Sequence, residues 1–182
     1  MSNHSIGIEH GDRKGVKISD GFSEEGSRIT TSANRCVLFN ILMNKFYIDF
    51  NNLNCADLCC GSGIIGFELL SLGAKKCLFV DCDEKKIKNI NLAIEKTGFL
   101  AKTMLSFLPS LSIKEQFDLI YFDPPYKNNF AQQTVDMIYD NNLLTDNGIL
   151  IIETILDIEV KKYKLLNLKK LKNNAKFLFL TK

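Results

Sequence analysis

From residue 54 onward, apolar positions fall into two alternating rhythms. Mostly apolar, strand-like runs at 55–60, 77–81, 117–123 and 149–153 are short, as strands buried on both faces are, whereas 64–72, 84–97 and 130–139 space their apolar residues at helical intervals. Strands separated by helix-length segments predict β-α-β crossovers and a mostly parallel sheet covered on both faces. A shorter strand is expected at 102–105, with two more at 163–168 and 176–181. The expected fold class is therefore α/β, doubly wound, around a seven-stranded sheet.

The first fifty residues follow another pattern. Residues 5–18 alternate and carry Gly7, Gly11 and Gly15, as a small hairpin would, and 21–28 form a polar loop. A helix follows at 33–46, with Val37, Leu38, Ile41 and Leu42 on one face and Thr30, Thr31 or Ser32 available as N-cap. Residues 1–50 thus read as an extension and 51–182 as the core.

Composition narrows the class. The chain has 182 residues, 46% hydrophobic and 24% charged, with three prolines and eleven glycines, which fits one globular domain rather than a fibre or a disordered chain. No apolar run approaches the roughly 18 to 20 residues that cross a bilayer, so no membrane partner and a cytoplasmic location are expected. Six cysteines occur without a Cys-x-x-Cys pair, and the histidines are His4 and His10, so no metal is expected and the thiols read as reduced core residues. Charge is split: residues 51–154 hold nine Lys and Arg against thirteen Asp and Glu, a balance of −4, while 155–182 hold eight against two, a balance of +6. An acidic middle beside a basic end suits a polyanion approached from one side, or simply a solvated lysine face.

Three motifs carry chemistry. Residues 56–66, Ala-Asp-Leu-Cys-Cys-Gly-Ser-Gly-Ile-Ile-Gly, place a glycine-rich turn between a strand and a helix, where backbone can approach a nucleotide-like ligand and free N–H groups await it. Gly61, Gly63 and Gly66 also satisfy G-x-G-x-x-G, which a nicotinamide dehydrogenase shares. Asp57 lies inside the first strand, where a carboxylate needs either a ligand or backbone N–H groups. Asp81 ends the second strand twenty residues after Gly61, the spacing at which a carboxylate takes both ribose hydroxyls of an adenosine cofactor, while Asp83 is better placed to cap the next helix. Finally, the apolar strand 117–122 runs into Asp123-Pro124-Pro125-Tyr126. Two prolines without N–H groups form a stiff ledge whose carbonyls, with the Asp123 carboxylate, can accept from a planar exocyclic amine, and Tyr126 offers a ring for base stacking.

Together these motifs resemble the S-adenosylmethionine-dependent amino methyltransferases of nucleic acid. Residues 11–18, Gly-Asp-Arg-Lys-Gly-Val-Lys-Ile, then Arg28-Ile29-Thr30-Thr31 and Arg35 through Leu38-Phe39-Asn40, are similar to the amino-terminal signature of the RsmD family, which methylates the N2 amine of one guanine in small-subunit ribosomal RNA. Glu153 fits that family's fifth strand. The resemblance implies a class I Rossmann-like core that binds S-adenosylmethionine through Asp57, Cys59, Gly61, Ser62, Gly63, Asp81, Cys82, Met104 and Asp123. It implies catalysis by Asp123, Pro124, Pro125 and Tyr126. It further implies a monomer acting on 16S ribosomal RNA or the assembling small subunit, held by Arg13, Lys14, Lys17, Arg28, Thr31 and Arg35, with the lysine-rich stretch 169–176 as a second candidate grip.

Some positions depart from the family pattern. Where it reads Arg-Pro-Thr-Thr-Asp-Arg, this chain has Ile29, Ser32 and Ala33, and Thr103 stands where relatives place Asp or Asn near the adenine. A DNA adenine-N6 methyltransferase shares the Asp-Pro-Pro-Tyr logic but usually carries a target-recognition domain, for which this length leaves no room. A dehydrogenase has no task for the ledge. A non-catalytic RNA-binding module is the remaining alternative.

Overall fold

The computed structural model describes residues 5–19, 30–110, 113–125 and 129–182. A two-stranded hairpin, β1 (Ser5–Gly7) with β2 (Lys17–Ser19), precedes helix α1 (Ser32–Asn44). Then follow β3 (Asn54–Leu58), α2 (Ile64–Ser71), β4 (Lys76–Asp81), α3 (Glu84–Thr97), β5 (Ala101–Leu105), β6 (Phe117–Phe122), α4 (Phe130–Asp140), β7 (Leu144–Thr154), β8 (Lys164–Lys170) and β9 (Lys176–Thr181). Strands β3 to β9 form one seven-stranded sheet in the order β5-β4-β3-β6-β7-β9-β8, parallel except for the pairings that β9 makes with β7 and β8. The expected α/β doubly wound class is what the chain adopts.

Period-two alternation sorts the core into two layers. Cys55, Cys77, Phe79, Leu119, Tyr121, Ile151 and Phe179 face α1, α2 and the hairpin residues Ile8 and Ile18. Ala56, Leu58, Leu78, Val80, Ile120, Phe122 and Ile152 face α4 and the segments bearing Leu108 and Tyr163. The hairpin and α1 therefore pack into the same apolar cluster as α2 and β3.

Helix ends follow local chemistry. Thr31 Oγ1 accepts from Asn34 N–H at 3.2 Å to cap α1, Asp83 Oδ1 accepts from Lys85 N–H at 2.8 Å to cap α3, and Gly98 closes α3 in left-handed backbone at φ 70°. Several boundaries differ from the sequence expectation, two of them for a visible local reason. β3 stops at Leu58 rather than residue 60, because Cys59 turns to φ 57° and takes the chain out of the sheet. β7 begins at Leu144 rather than 149. Its register against β6 jumps between Phe117 and Leu119, and residues 145–148 form a polar bulge in which Thr145 donates to Asp118 at 3.1 Å, masking the strand's early start in the apolar pattern.

Among the described residues, no helix is long and apolar enough to cross a membrane.

Candidate functional site

The candidate residues gather at the carboxyl end of the parallel strands, between β3 and β6, where the strand order reverses and open α/β sheets leave a crevice. Beyond β3 the backbone makes three left-handed steps, at Cys59, Gly61 (φ 56°) and Gly63 (φ 74°). Cys60 N–H donates to Val80 O at 3.0 Å and Gly63 N–H to Cys60 O at 2.7 Å, which pins the turn to β4 and launches α2. The glycines divide the work. A Cβ on Gly66 would stand 2.3 Å from Phe79 Cε1, so Gly66 lets α2 lie against the sheet. At Gly61 no other atom lies within 4 Å of a Cβ position, so the backbone is bare toward open space.

Three carboxyls surround this turn. Asp57 is 1% exposed, and its Oδ2 accepts from Gly66 N–H at 2.9 Å. Burial raises its pKa well above the ordinary value, the Gly66 N–H opposes that rise, and Asp123 and Asp81 add to it. Asp57 thus answers the sequence question through a backbone N–H: it braces the glycine turn from within. Asp81 ends β4 with Oδ2 accepting from Gly61 N–H at 2.9 Å and Oδ1 from Asp83 N–H at 3.0 Å. A carboxylate has about four lone-pair positions, so acceptor capacity remains toward the crevice. Asp123 is half-buried just beyond β6, its N–H 3.5 Å from Leu58 O; Pro124 behind it is buried and Pro125 is exposed. Half-buried Cys59, Ser62 and Met104 and exposed Cys82 complete the rim. Burial, reinforced by Asp81 and Asp123, pushes the Cys59 thiol up, and burial first also raises Cys55, Cys60 and Cys77. These groups stay neutral thiols, as inert core residues do. A bare backbone cradle ringed by carboxyls suits a ligand with hydroxyls and positive charge.

Two further features bring residues beyond the expected set to the site. Phe107, just past β5, is 61% exposed, and its ring meets Phe130 edge-on at 5.6 Å; Phe130 in turn tilts against Phe122 at 6.4 Å. An aromatic wall thus runs from the end of β6 out to solvent. The signal available was an isolated Phe following a strand that ends at the crevice. Beneath the ledge, Tyr121 Oη donates to Glu153 Oε2 at 2.5 Å, Thr30 Oγ1 lies 3.1 Å from Tyr121 Oη and 3.2 Å from Glu153 Oε2, and Asn34 Nδ2 donates to Glu153 Oε1 at 3.1 Å. Burial, with Glu153 beside it, raises the Tyr121 phenol well above its ordinary value. This network ties the start of α1 to β6 and β7. Thr103, the departure near the expected adenine, donates to Asn91 Oδ1 at 3.0 Å.

The expected RNA contacts separate. Arg35 is corrected outright: it is 3% exposed, with guanidinium nitrogens on Glu9 Oε1 at 2.6 Å and Thr30 O at 3.0 Å, and Nε 3.6 Å from the fully buried Glu68. A guanidinium so enclosed binds the hairpin to α1 and α2 and presents nothing to a phosphate. Glu68 also accepts from Glu9 and His10 N–H groups and from His10 Nδ1. Glu9, His10 and Glu68 have metal-ligand atoms in one cluster, but Arg35 already supplies the cation there. Thr31 is exposed and caps α1. Arg13, Lys14 and Lys17 are exposed, yet Asp12 and Arg13 donate through their backbone N–H groups to Ser71, the last residue of α2, and the Arg13 guanidinium sits 6.0 Å from the Phe99 ring that precedes β5. That is the amino end of the strands, opposite Asp123. Arg28 and Tyr126 lie outside the described residues.

Residues 7–180 match the family described as conserved hypothetical protein 95. Ribosomal RNA small subunit methyltransferase D of Haemophilus influenzae is 31% identical over 155 residues, covering 81% of this chain and 76% of that protein. The protein of the same name from Escherichia coli K12 is 29% identical over 134 residues, covering 71% and 65%. Among solved structures, the Thermus thermophilus 16S rRNA N2 G1207 methyltransferase in complex with AdoMet and guanosine shares the fold, with a TM-score of 0.70 at 18% identity over 98% of this chain and 50% of that one. With a sheet, glycine turn and acidic strand end of this kind, and a family match that spans nearly all of it, the chain belongs to the conserved hypothetical protein 95 family of RsmD-like methyltransferases.

Proposed function

We propose that the protein transfers a methyl group from S-adenosylmethionine to the exocyclic N2 amine of a guanine in small-subunit ribosomal RNA. The observation that carries this reading is the convergence of Asp123-Pro124 with the Gly61 cradle and Asp81 at one switch point of the sheet. The bare backbone at Gly61 and the surrounding carboxyls fit an adenosine cofactor whose sulfur carries positive charge. When bound, that cofactor supplies an electrophilic methyl on a good leaving group.

The chain's own part is positioning. Gly61, Ser62 and Gly63 offer backbone, and Asp81 offers oxygen lone pairs to hydroxyls. The Asp123 carboxylate and the Pro124 carbonyl accept the two N–H bonds of the incoming amine, which turns its nitrogen lone pair outward for attack. A displacement with so good a leaving group needs no strong general base. A base in a folded RNA must leave its stack to reach the ledge, and Phe107 with Phe130 gives it aromatic surface to replace what it loses.

Two measurements test this. Asp123→Ala should abolish methyl transfer while S-adenosylmethionine affinity, read by calorimetry, stays within a few-fold; unchanged turnover overturns the assignment. Mapping modified bases in ribosomal RNA from cells with and without the gene should show one missing N2-methylguanine.

A further inference from the structure

We propose that the carboxyl-end tip of the β8–β9 hairpin, through Lys169, Lys170 and Lys172, is the surface that grips the RNA phosphate backbone. This rests on the reading that the substrate is RNA. Strand register places the tip. Phe122 pairs with Ile152, Ile152 with Leu178, and Leu178 with Leu168, so these four form one row across the sheet. One residue further along stand Asp123, Glu153, Phe177 and Lys169, since Glu153 pairs with Phe177 and Phe177 with Lys169. Lys169 is thus level with Asp123, three strand spacings away, a lateral distance of about 14 Å. Lys170 and Lys172 lie beyond it on the same end of the sheet.

Charge pairing and position together separate these lysines from the rest of the basic segment: exposed Lys164, also without a carboxylate within 4.0 Å among the described residues, opens β8 at the opposite end. At the other end of the hairpin, Lys161 Nζ is 3.2 Å from Glu159 and Lys162 Nζ is 2.8 Å from Asp140. Lys176 is held by Asp157 at 2.7 Å. Lys169, Lys170 and Lys172 are exposed, and among the described residues no carboxylate lies within 4.0 Å of any of them. The crevice itself is lined by Asp81 and Asp123 and repels phosphate, so a polyanion that delivers a base to Asp123 must be held to one side. Among the described amino-terminal residues, Arg13 is at the opposite end of the strands and Arg35 is enclosed. The β8–β9 tip supplies uncompensated positive charge on the correct end.

The test is the salt dependence of binding to a short fluorescein-labelled single-stranded RNA copied from small-subunit ribosomal RNA, followed by anisotropy. Each neutralised phosphate on a single strand contributes about 0.7 to the slope of log K against log salt, so Lys169→Gln with Lys170→Gln and Lys172→Gln should flatten the slope by about 2 while the thermal midpoint holds. Arg13→Gln with Lys14→Gln should leave the slope at the wild-type value. A wild-type slope in the triple variant, or a loss confined to the Arg13 and Lys14 variant, overturns the proposal. Methyl incorporation by the wild-type protein into ribosomal particles from cells lacking its gene reports separately on the parent reading: incorporation with an unchanged triple-variant slope condemns the surface alone, whereas no incorporation and no RNA affinity condemn both.

Discussion

Substituting Gly61 and Gly66 separately by alanine should split cofactor binding from stability. At Gly66 the backbone is helical, so alanine gains about 1 kcal/mol of helix propensity, but its Cβ would stand 2.3 Å from Phe79 Cε1 and 3.0 Å from Cys77 Sγ. Overpacking of a dense core costs about 1 to 3 kcal/mol, leaving a net loss on the order of 0 to 2 kcal/mol. For a domain of this size that lowers the melting temperature by at most about 8 °C, at about 2 to 4 °C per kcal/mol. At Gly61 the added methyl meets nothing, so the stability cost is only that of a left-handed non-glycine residue, about 1 to 2 kcal/mol. Its Cβ would nevertheless enter the space proposed for the cofactor. Differential scanning fluorimetry and titration calorimetry with S-adenosylmethionine read the two quantities. Gly66→Ala should melt earlier and bind nearly as wild type once folded, and Gly61→Ala should bind at least tenfold more weakly at a temperature where it is fully folded. Wild-type affinity in Gly61→Ala would refute the placement of the cofactor over that turn.

Other expectations follow from buried polar groups. Tyr121→Phe removes the hydroxyl shared by Glu153 and Thr30 and should cost about 1 to 3 kcal/mol in urea unfolding, because a buried carboxylate is left with fewer donors; a neutral substitution would show the network to be idle. Arg35→Met leaves the fully buried Glu68 without its guanidinium and should cost about 3 to 5 kcal/mol, far more than Lys14→Ala, and equal losses would return Arg35 to the surface. Asp57 holds its proton to higher pH when folded than when unfolded, so its favourable term is complete below its ordinary value of 3.8 and fades as pH rises through the raised folded value. Asp57→Asn keeps an acceptor for Gly66 N–H without that dependence, so it should gain stability relative to wild type as pH climbs; a difference that stays flat with pH refutes it.

Local pattern made much of this fold readable. The strands and the helices after residue 54 announce themselves because each buries a continuous stripe, and the glycine turn, Asp81 and the proline ledge follow strands at short, fixed spacings. What stayed hidden depends on distant partners. Nothing near Arg35 marks it as internal, since the groups that enclose it come from the hairpin and from the middle of α2. The early start of β7 was masked by a bulge that turns polar residues into the strand, and the aromatic wall at Phe107 exists only because α4 returns Phe130 to the same corner. The basic end was visible as composition, but only the register of β8 shows which of its lysines stand level with the ledge.

Helix α2 carries two duties along one short rod. Its first residues close the glycine turn, and four residues on, Glu68 clasps the backbone of Glu9 and His10. Any truncation that removes the hairpin strips a sealed-in anion of its companions and slackens the rod at whose tip the cofactor is proposed to sit. Such deletions would depress catalysis whether or not the lost segment ever meets nucleic acid, so single side-chain changes at Arg13 and Lys14 are the cleaner probe of that region.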